Sequence, residues 1–381
     1  MNKLISDSLL KKECVDTNAF LLINKQFPNI YIVNSSIKCF LENFRKPNSI
    51  ENVVKQFEKA ILQKEESDDI IKNFFCQMID RNFLISVNET VNPKVKFDKN
   101  QLKNFKITYV LQKNQVITTA IALDTQLNEK VILKFLTTDS NSKNSNKIQF
   151  FRQEFEIMEK IGSHPLIRSL KSFDKNKNLA VMEYINGRNL KELILIGKLK
   201  MKHKLYLAYQ VIESLSVLHE KKIIHGDVHI GQFLVEPNLN IKLIDFGMSA
   251  MYLENNVVTS SVRGGVCHYI EPENISDSAF SYTKDYIPCF YVDIYRLGIV
   301  LYFLIYEKFP FDSFSWKRLS KRIGSTEPDF ESSIRDELVP AFVIEIIRKS
   351  LSKNPEMRFQ SATKVFAFFD KAYTEIDKET A

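Results

Sequence analysis

Two short, closely spaced stretches limit what this chain can fold into more than any other feature. The first runs from His225 to Val235 with the sequence HGDVHIGQFLV, and the second from Leu243 to Gly247 with the sequence LIDFG. Each places acidic or amide side chains on a loop, beside apolar residues that are typical of β-strands. Carboxylate and amide groups brought together in this way can accept a proton and hold a divalent cation. The pattern predicts a phosphoryl-transfer site.

These two stretches resemble the catalytic loop and the Asp-Phe-Gly loop of protein kinases. The resemblance implies that Asp227 is the catalytic base or orients the substrate hydroxyl, and that Asp245 is the main ligand of Mg²⁺. Gln232 stands at the family's metal-binding Asn and offers the same carbonyl oxygen on a side chain longer by one methylene. His229 stands at the Lys that steadies the γ-phosphate of ATP, and it can still donate a hydrogen bond.

A lysine and a glutamate upstream fit the same family. The apolar sequence VILK ends at Lys134, where protein kinases have the lysine that pairs with the α- and β-phosphates of ATP. A helix is predicted over residues 151–161, and Glu154 is its expected partner for Lys134. Glu156 is the rival, but Glu154 shares a face with Met158, which is expected to lie in the core.

The next motif resembles the strand and hinge between the two lobes of a kinase. It runs from Leu179 to Gly187 with the sequence LAVMEYING. The resemblance implies that Met182 borders the adenine pocket, and that the backbone from Glu183 to Ile185 hydrogen-bonds the adenine edge of ATP.

Two departures from the family pattern bear on activity. The glycine positions of the loop that covers the phosphates carry Gln112, Asn114 and Ile117, so close backbone approach to the phosphates is weakened. The family's Arg before the catalytic Asp is Gly226. Because that Arg pairs with a phosphorylated activation loop, its absence predicts that phosphorylation at Thr259–Ser261 is not the switch.

The sequence HGDVH also resembles small-molecule kinases of the aminoglycoside and choline type, and the kinase domains of class III and IV lanthipeptide synthetases. The downstream motifs distinguish a protein kinase from a small-molecule kinase. Residues 264–273 resemble the end of a protein-kinase activation segment, and Asp293 stands where the family braces the catalytic loop. Arg358 is expected to pair with Glu273. This ordered set favours a protein-kinase-like fold over a small-molecule kinase.

The first 88 residues read as a separate small domain. Two β-rich segments, 19–24 and 29–34, flank a plausible turn and predict a hairpin. Three helical patterns follow, at residues 36–44, 50–62 and 68–82. A strand pair followed by three short helices predicts a winged-helix-like domain.

The order of elements, with YIVNS at 31–35 and MIDRNFL at 78–84, resembles the PqqD-like domains that recognise precursor peptides. In that family a leader peptide adds a strand to an exposed sheet edge. By analogy the docking strand is Asn29–Val33, with Ile30 and Ile32 as contact residues and the 68–82 helix as the groove wall. The competing interpretation is a winged helix that binds DNA or caps the fold.

The predicted architecture is α+β: a two-lobed protein-kinase-like fold behind an N-terminal winged-helix (PqqD-like) domain. The predicted boundaries are 1–88 for the peptide-recognition domain, 89–104 for a linker, 105–185 for the kinase N-lobe and 186–381 for the C-lobe.

Composition narrows the setting. The net charge is +7, but basic stripes interleaved with aromatic residues are not evident, so no nucleic-acid partner is expected. The five cysteines have no metal-type spacing, which fits a reducing cytoplasm. The longest apolar run, Leu297–Tyr306, is too short to span a bilayer, and the lysine-rich segment Lys198–Lys204 is expected to be a solvated face.

The leading hypothesis is a cytoplasmic, ATP- and Mg²⁺-dependent Ser/Thr kinase that modifies a ribosomally made precursor peptide. A separate lyase or cyclase would be a further partner, if the phosphate is later eliminated. One alternative is a pseudokinase scaffold that binds peptide without catalysis. The other is a regulatory Ser/Thr kinase whose winged helix binds DNA or a protein.

Overall fold

The computed structural model describes residues 102–113, 116–136, 145–196, 199–252, 267–275, 289–313, 316–331 and 339–380, without the side chains of 145–147, 196 and 376–380. Before residue 102 it describes only the backbone of six strands. The chain divides into two units, Met1–Lys96 and Phe97–Ala381, and each is described by itself.

The first unit contains the predicted hairpin. Strands β3 (Ala19–Asn24) and β4 (Ile30–Asn34) pair antiparallel, with Leu21 opposite Ile32, so the hairpin is confirmed. A strand that the sequence did not reveal, β2 (Ser8–Asp16), pairs with the other side of β3. Among the described strands β4 is therefore the edge of a three-stranded sheet.

A second small sheet joins distant parts of the first unit. Strand β1 (Lys3–Ser6) lies between β5 (Asn48–Ser49) and β6 (Leu84–Ser86), both antiparallel to it. The helices predicted over 36–44, 50–62 and 68–82 lie outside the described residues, and the winged-helix assignment stays a prediction.

The second unit begins with a twisted antiparallel sheet, the N-lobe. Its strands, with the helix that follows the third of them, are β7 (Phe105–Lys113), β8 (Ile117–Asp124), β9 (Glu129–Leu136), α1 (Ser145–Ile161), β10 (Leu170–Asp174) and β11 (Leu179–Glu183). The five strands lie in the order β10-β11-β9-β8-β7. Residues alternate between buried and half-buried along β8, as expected of a strand with one face on a core.

The C-lobe is built around one apolar helix, α4 (Phe290–Tyr306). Every residue from Val292 to Tyr306 is buried, which explains why the helix shows almost no polar face. The other helices are α2 (Leu190–Ile196), α3 (Met201–Glu220), α5 (Trp316–Ser325), α6 (Ala341–Ser350) and α7 (Ala362–Thr380). Within the described ranges no helix is both long and apolar enough to cross a membrane.

One sequence expectation about α3 is wrong in part. Lys204, assigned to a solvated lysine-rich face, is buried at 5% exposure. Its ammonium donates to the backbone oxygen of Ile305 and to the Glu307 carboxylate, both at 2.8 Å. A buried lysine is tolerated here because it caps the C-terminal end of α4, where backbone oxygens lack partners.

Short strands carry the polar residues between these helices. Strand β14 (Phe233–Val235) pairs with β12 (Arg188–Asn189) on one side and β15 (Ile241–Leu243) on the other. Strand β13 (Ile223–Ile224) pairs with β16 (Ala250–Met251). The hairpin of β14 and β15 places the loop before it and the loop after it side by side, which brings Asp227 near Asp245.

Candidate active site

The N-lobe supplies a lysine held between two carboxylates. Lys134 lies on β9, and its Nζ is 2.8 Å from both carboxylate oxygens of Glu154 on α1. It is also 3.5 Å from Oδ1 of Asp245. Burial alone would lower the pKa of Lys134, but the two carboxylates raise it above its ordinary value. Lys134 is therefore a permanent cation between the lobes.

The pairing predicted for Lys134 is present, and the rival partner is engaged elsewhere. Glu156 forms an exposed ion pair with Lys175 at 2.9 Å, on the outer side of α1. The helical spacing decides this outcome, because Glu154 is buried on the same face as Met158.

Asp245 follows β15 in a conformation that few non-glycine residues adopt. Its φ is +67°, and its Oδ1 accepts a hydrogen bond from the backbone N–H of Gly247 at 3.2 Å. The positive charge of Lys134 lowers the pKa of Asp245 to about 2, against the opposing effect of burial. The ionised side chain is 49% exposed, so its remaining oxygen is open to the cleft.

The floor of the catalytic loop is hydrogen-bonded to α4. The carboxylate of Asp293 accepts from the backbone N–H of His225 at 2.7 Å and of Gly226 at 2.9 Å. It also contacts Nε2 of His219 at 3.1 Å. Burial opposes its ionisation, but these contacts hold the pKa of Asp293 below its usual range. Asp293 thus fixes the loop backbone, in the bracing role that the motif predicted.

A second group on α4 holds the same loop from its carbonyl side. Arg296, 1% exposed, donates from its guanidinium to the backbone oxygen of Gly226 and to the carboxylate of Glu271. Glu271 is fully buried, so the pair is a desolvated ion pair. The same guanidinium lies 3.8 Å from Oδ1 of Asp227. Arg296 therefore connects the catalytic loop, the segment after the activation loop and α4.

Asp227 is at the centre of the loop. Burial raises the pKa of Asp227 to about 7, although the neighbouring Arg296 favours its charged form. Its Oδ2 accepts a hydrogen bond from the amide of Gln232 at 3.4 Å and lies 3.7 Å from Nε2 of His229. A carboxylate with this pKa can take up a proton near neutral pH.

The local fold determines the tautomer of His229. Its Nδ1 accepts a hydrogen bond from the backbone N–H of Gly231 at 3.0 Å. Burial lowers the pKa of His229 to about 4, so the ring is neutral at pH 7. The proton then lies on Nε2, which faces Asp227. His229 is a neutral donor where a lysine would be a cation.

The residues expected around adenine line the hinge. Met182 and Ile185 are buried at 4% and 6% exposure, and Glu183 ends β11. The Glu183 carboxylate accepts from the backbone N–H of Ser169 at 3.1 Å and pairs with Lys242 of β15 at 3.0 Å. The side chain of Glu183 is thus occupied in joining the two lobes. Its backbone N–H also donates to the backbone oxygen of Ser169 at 2.9 Å, so this N–H is not available to the adenine edge.

Residues 116–367 match the protein kinase domain family. This chain belongs to the protein kinase family. Among similar proteins, serine/threonine-protein kinase PrkC of Bacillus subtilis is 29% identical over 274 residues, which is 71% of this chain and 40% of that protein. Serine/threonine-protein kinase PknA of Mycobacterium tuberculosis is 27% identical over 253 residues, covering 63% of this chain and 54% of that protein. Human NUAK family SNF1-like kinase 1 is 28% identical over 219 residues, covering 57% of this chain and 31% of the relative.

The alignments thus span between 31% and 54% of these three relatives. The family match begins at residue 116, so it identifies the kinase domain and does not include the first unit. The predicted contact residues Ile30 and Ile32 lie in β4, where only the backbone is described.

Members of this family use ATP and Mg²⁺, and the residues present fit a divalent cation. The ionised carboxylate of Asp245 is open to the cleft. The amide nitrogen of Gln232 donates to Asp227, which leaves its carbonyl oxygen as a second hard oxygen ligand. These two oxygens are of the kind that Mg²⁺ prefers, with Gln in place of the family's Asn.

The sequence reasoning did not single out Arg296 and Glu271 as functional. A signal was available, because an arginine inside the apolar helix Phe290–Tyr306 must be buried and therefore needs a counter-charge. Tyr269 was also missed: its hydroxyl accepts from the backbone N–H of Ile230 at 3.2 Å. The predicted pair of Glu273 and Arg358 is present and bidentate, at 2.8 and 2.6 Å.

Proposed function

We propose that this chain is an ATP- and Mg²⁺-dependent Ser/Thr kinase that phosphorylates a precursor peptide bound by its N-terminal unit. One observation carries the kinase half of this proposal. Lys134 contacts Glu154 and Asp245 at once, which is the ion-pair arrangement that active protein kinases require. The peptide half is supported by the position of β4 at an edge of the sheet that the described strands form, since an edge strand can accept an added strand.

The residues of the loop have separable tasks in phosphoryl transfer. Asp227 accepts a hydrogen bond from the substrate hydroxyl and takes its proton, for which a pKa of about 7 is well matched. His229 donates a hydrogen bond from Nε2 on the same side of the loop. Asp245 and Gln232 would hold Mg²⁺, which supplies charge neutralisation for the phosphates.

Tethering explains how a kinase without the family's phosphate-loop glycines would act efficiently. A leader peptide held on β4 raises the effective concentration of the attached Ser or Thr at Asp227. A separate lyase would then be able to eliminate the phosphate and leave a dehydrated residue.

The test is transfer of labelled γ-phosphate from ATP to candidate leader–core peptides, chosen as short Ser/Thr-rich open reading frames near this gene, with casein as an unrelated acceptor. D227N should lower transfer to both acceptors by about a hundredfold or more, since a positioned base contributes at that scale. An excess of free leader peptide should inhibit labelling of the leader–core peptide and leave casein labelling unchanged. Equal labelling of the leader–core peptide with and without the competitor excludes tethering.

A pseudokinase scaffold is the second candidate, and one observation favours it. The positions where the family has phosphate-loop glycines carry Gln112, Asn114 and Ile117, so the backbone approaches the phosphates less closely. Such a scaffold would bind peptide and nucleotide, but the wild type would transfer no more phosphate than D227N or K134A in the presence of Mg²⁺.

A further inference from the structure

A thiol, an imidazole and a carboxylate form a chain outside the cleft. The Cys267 thiol lies 3.5 Å from Nδ1 of His268, and Nε2 of His268 lies 2.9 Å from Oδ1 of Asp312. The first two residues belong to a 3₁₀ turn, Cys267–Tyr269, and Asp312 lies beyond the end of α4. This order of groups is the one that activates cysteine nucleophiles, because the imidazole is oriented by a third group.

The imidazole is held firmly in this position. The His268 ring stacks on Phe309 with centroids 4.2 Å apart. The backbone oxygen of Asp312 accepts a hydrogen bond from Arg322 on α5, which fixes the residue that orients the imidazole. A further cation, the ammonium of Lys191 on α2, lies 5.7 Å from the centre of the Phe309 ring.

The electrostatics favour an imidazolium at neutral pH. Burial alone would lower the pKa of His268, but the hydrogen bonds to Asp312 and Cys267 raise it to about 9. A cationic imidazole beside a thiol is the environment in which cysteines react fastest with oxidants and alkylating reagents. Cys267 is only partly buried, so such reagents can reach it.

We propose that Cys267 is a reactive thiol that hydrogen peroxide oxidises to a sulfenic acid, and that His268 and Asp312 set its reactivity. In this step His268 holds the thiol proton, the thiolate sulfur attacks one peroxide oxygen, and the O–O bond breaks. Sulfur loses two electrons and gains the oxygen as S–OH. The departing hydroxide takes a proton from the His268 imidazolium and leaves as water, so neutral imidazole and one water balance the reaction.

The chain contains an internal control. Cys289 is the other free cysteine of the described residues, and it is buried at 8% exposure. Burial raises the pKa of Cys289 to about 12, so it is a thiol that should not react. The two cysteines can be compared in one sample of folded protein.

Oxidation at Cys267 also has a route to the catalytic loop. Two residues further on, the Tyr269 hydroxyl accepts a hydrogen bond from the backbone N–H of Ile230, and the Tyr269 ring lies 5.9 Å from that of His229. An added oxygen on a partly buried sulfur displaces this turn. This regulatory consequence rests on the proposed kinase activity, whereas the reactivity of Cys267 does not.

The test treats reduced, full-length protein with hydrogen peroxide at pH 7, traps sulfenic acid with dimedone and quantifies both cysteine peptides by mass spectrometry. Cys267 should be labelled at least about tenfold faster than Cys289, as expected for a partly exposed cysteine beside an imidazole compared with a buried one. D312N should slow labelling of Cys267 several-fold, and H268Q should slow it further. Since the Asp312 side chain is 71% exposed, D312N leaves folding intact. Equal rates at Cys267 and Cys289, or an unchanged Cys267 rate in both variants, overturn the proposal.

A second measurement addresses the catalytic consequence. Peroxide should lower phosphate transfer by the wild type but not by C267S, and a thiol reductant should restore it. Equal inhibition of the two proteins disproves the link to the catalytic loop. An untreated enzyme that transfers no phosphate contradicts the proposed kinase function, while the labelling result still decides the reactivity of Cys267.

Discussion

The two sides of the cleft hold their charges in different ways. On the N-lobe side, Lys134 and Glu154 keep the family's ion pair, which joins a strand to a helix and meets Asp245 at the cleft surface. On the C-lobe side the family's Arg is missing, and the loop is held by Asp293 and Arg296 of α4.

This difference concerns how the site is switched. The contact of Lys134 with Asp245 crosses the two lobes at a half-exposed carboxylate, so it can form and break as the lobes move. A buried pair such as Arg296 and Glu271 cannot lose one partner without leaving a desolvated charge. Arg296 is hydrogen-bonded to the Glu271 carboxylate and to the backbone oxygen of Gly226, so no phosphate is needed to order the catalytic loop. The C-lobe side is therefore held without a phosphate, and the contact that can respond to lobe movement is the one between Lys134 and Asp245.

The largest expected effect comes from breaking the buried pair. R296M should lower the free energy of unfolding by about 3–5 kcal/mol, because it leaves the fully buried Glu271 uncompensated. The double variant R296M/E271Q should lose clearly less than the sum of the two single variants, as measured by urea denaturation. Additive losses would mean that the two side chains act independently and that the brace does not exist.

A smaller effect is expected at Gly226. Its φ is +76°, and a Cβ there would lie 2.4 Å from the backbone oxygen of Met248. G226A should therefore destabilise the protein by roughly 1–3 kcal/mol, the scale of a strained backbone position, and impair phosphate transfer. G324A is the matched control, because its Cβ would meet only Ile275 at 3.5 Å. A G226A protein as stable as G324A would show that the backbone around Gly226 and Met248 shifts at little cost in free energy.

The exposed pair of His268 and Asp312 should contribute less again. Because the folded-state pKa of His268 is raised to about 9 from an ordinary 6.5, the pair stabilises the fold fully below pH 6.5 and loses this effect as pH rises through about 9. D312N should cost at most about 1 kcal/mol at pH 6, since the carboxylate is exposed, and nothing at pH 10. A loss that grows with pH would reverse the assignment.

The smallest expected effect tests most directly whether the C-lobe side of the cleft is held without a phosphate. The triple variant T259A/S260A/S261A, in a segment outside the described residues, should keep phosphate transfer within a few-fold of the wild type. The reason is that Gly226 stands in place of the Arg that pairs with such a phosphate, and Arg296 already holds the catalytic loop through the backbone oxygen of Gly226. Total loss of activity would show that loop phosphorylation is required after all.

Parts of both units were predictable because their sequence signals are local. The strand ending at Lys134, the helical face of Glu154 and the hairpin of 19–34 are read from periods of two and 3.6 residues. The pair of Glu273 and Arg358 was predictable only through the family resemblance, since 85 residues separate the partners.

Contacts that follow neither a helix or strand period nor a family motif could not be predicted from the sequence. Arg296 meets Gly226 across 70 residues, and no local pattern specifies that partner. Lys204 looked like part of a solvated lysine run, but the folded chain places it against the end of α4. Strand β2 escaped notice because its alternation is interrupted by the adjacent lysines Lys11 and Lys12.

The close packing at Gly226 has an evolutionary consequence. The oxygen of Met248 fills the space where any side chain at position 226 would begin, and Arg296 already occupies the loop's carbonyl. A single substitution that restored the family's arginine there would meet a steric block before it gained a phosphate to bind. An arginine at position 226 would therefore require the backbone at Met248 and the Arg296 contact to change with it, so a single substitution does not reach it.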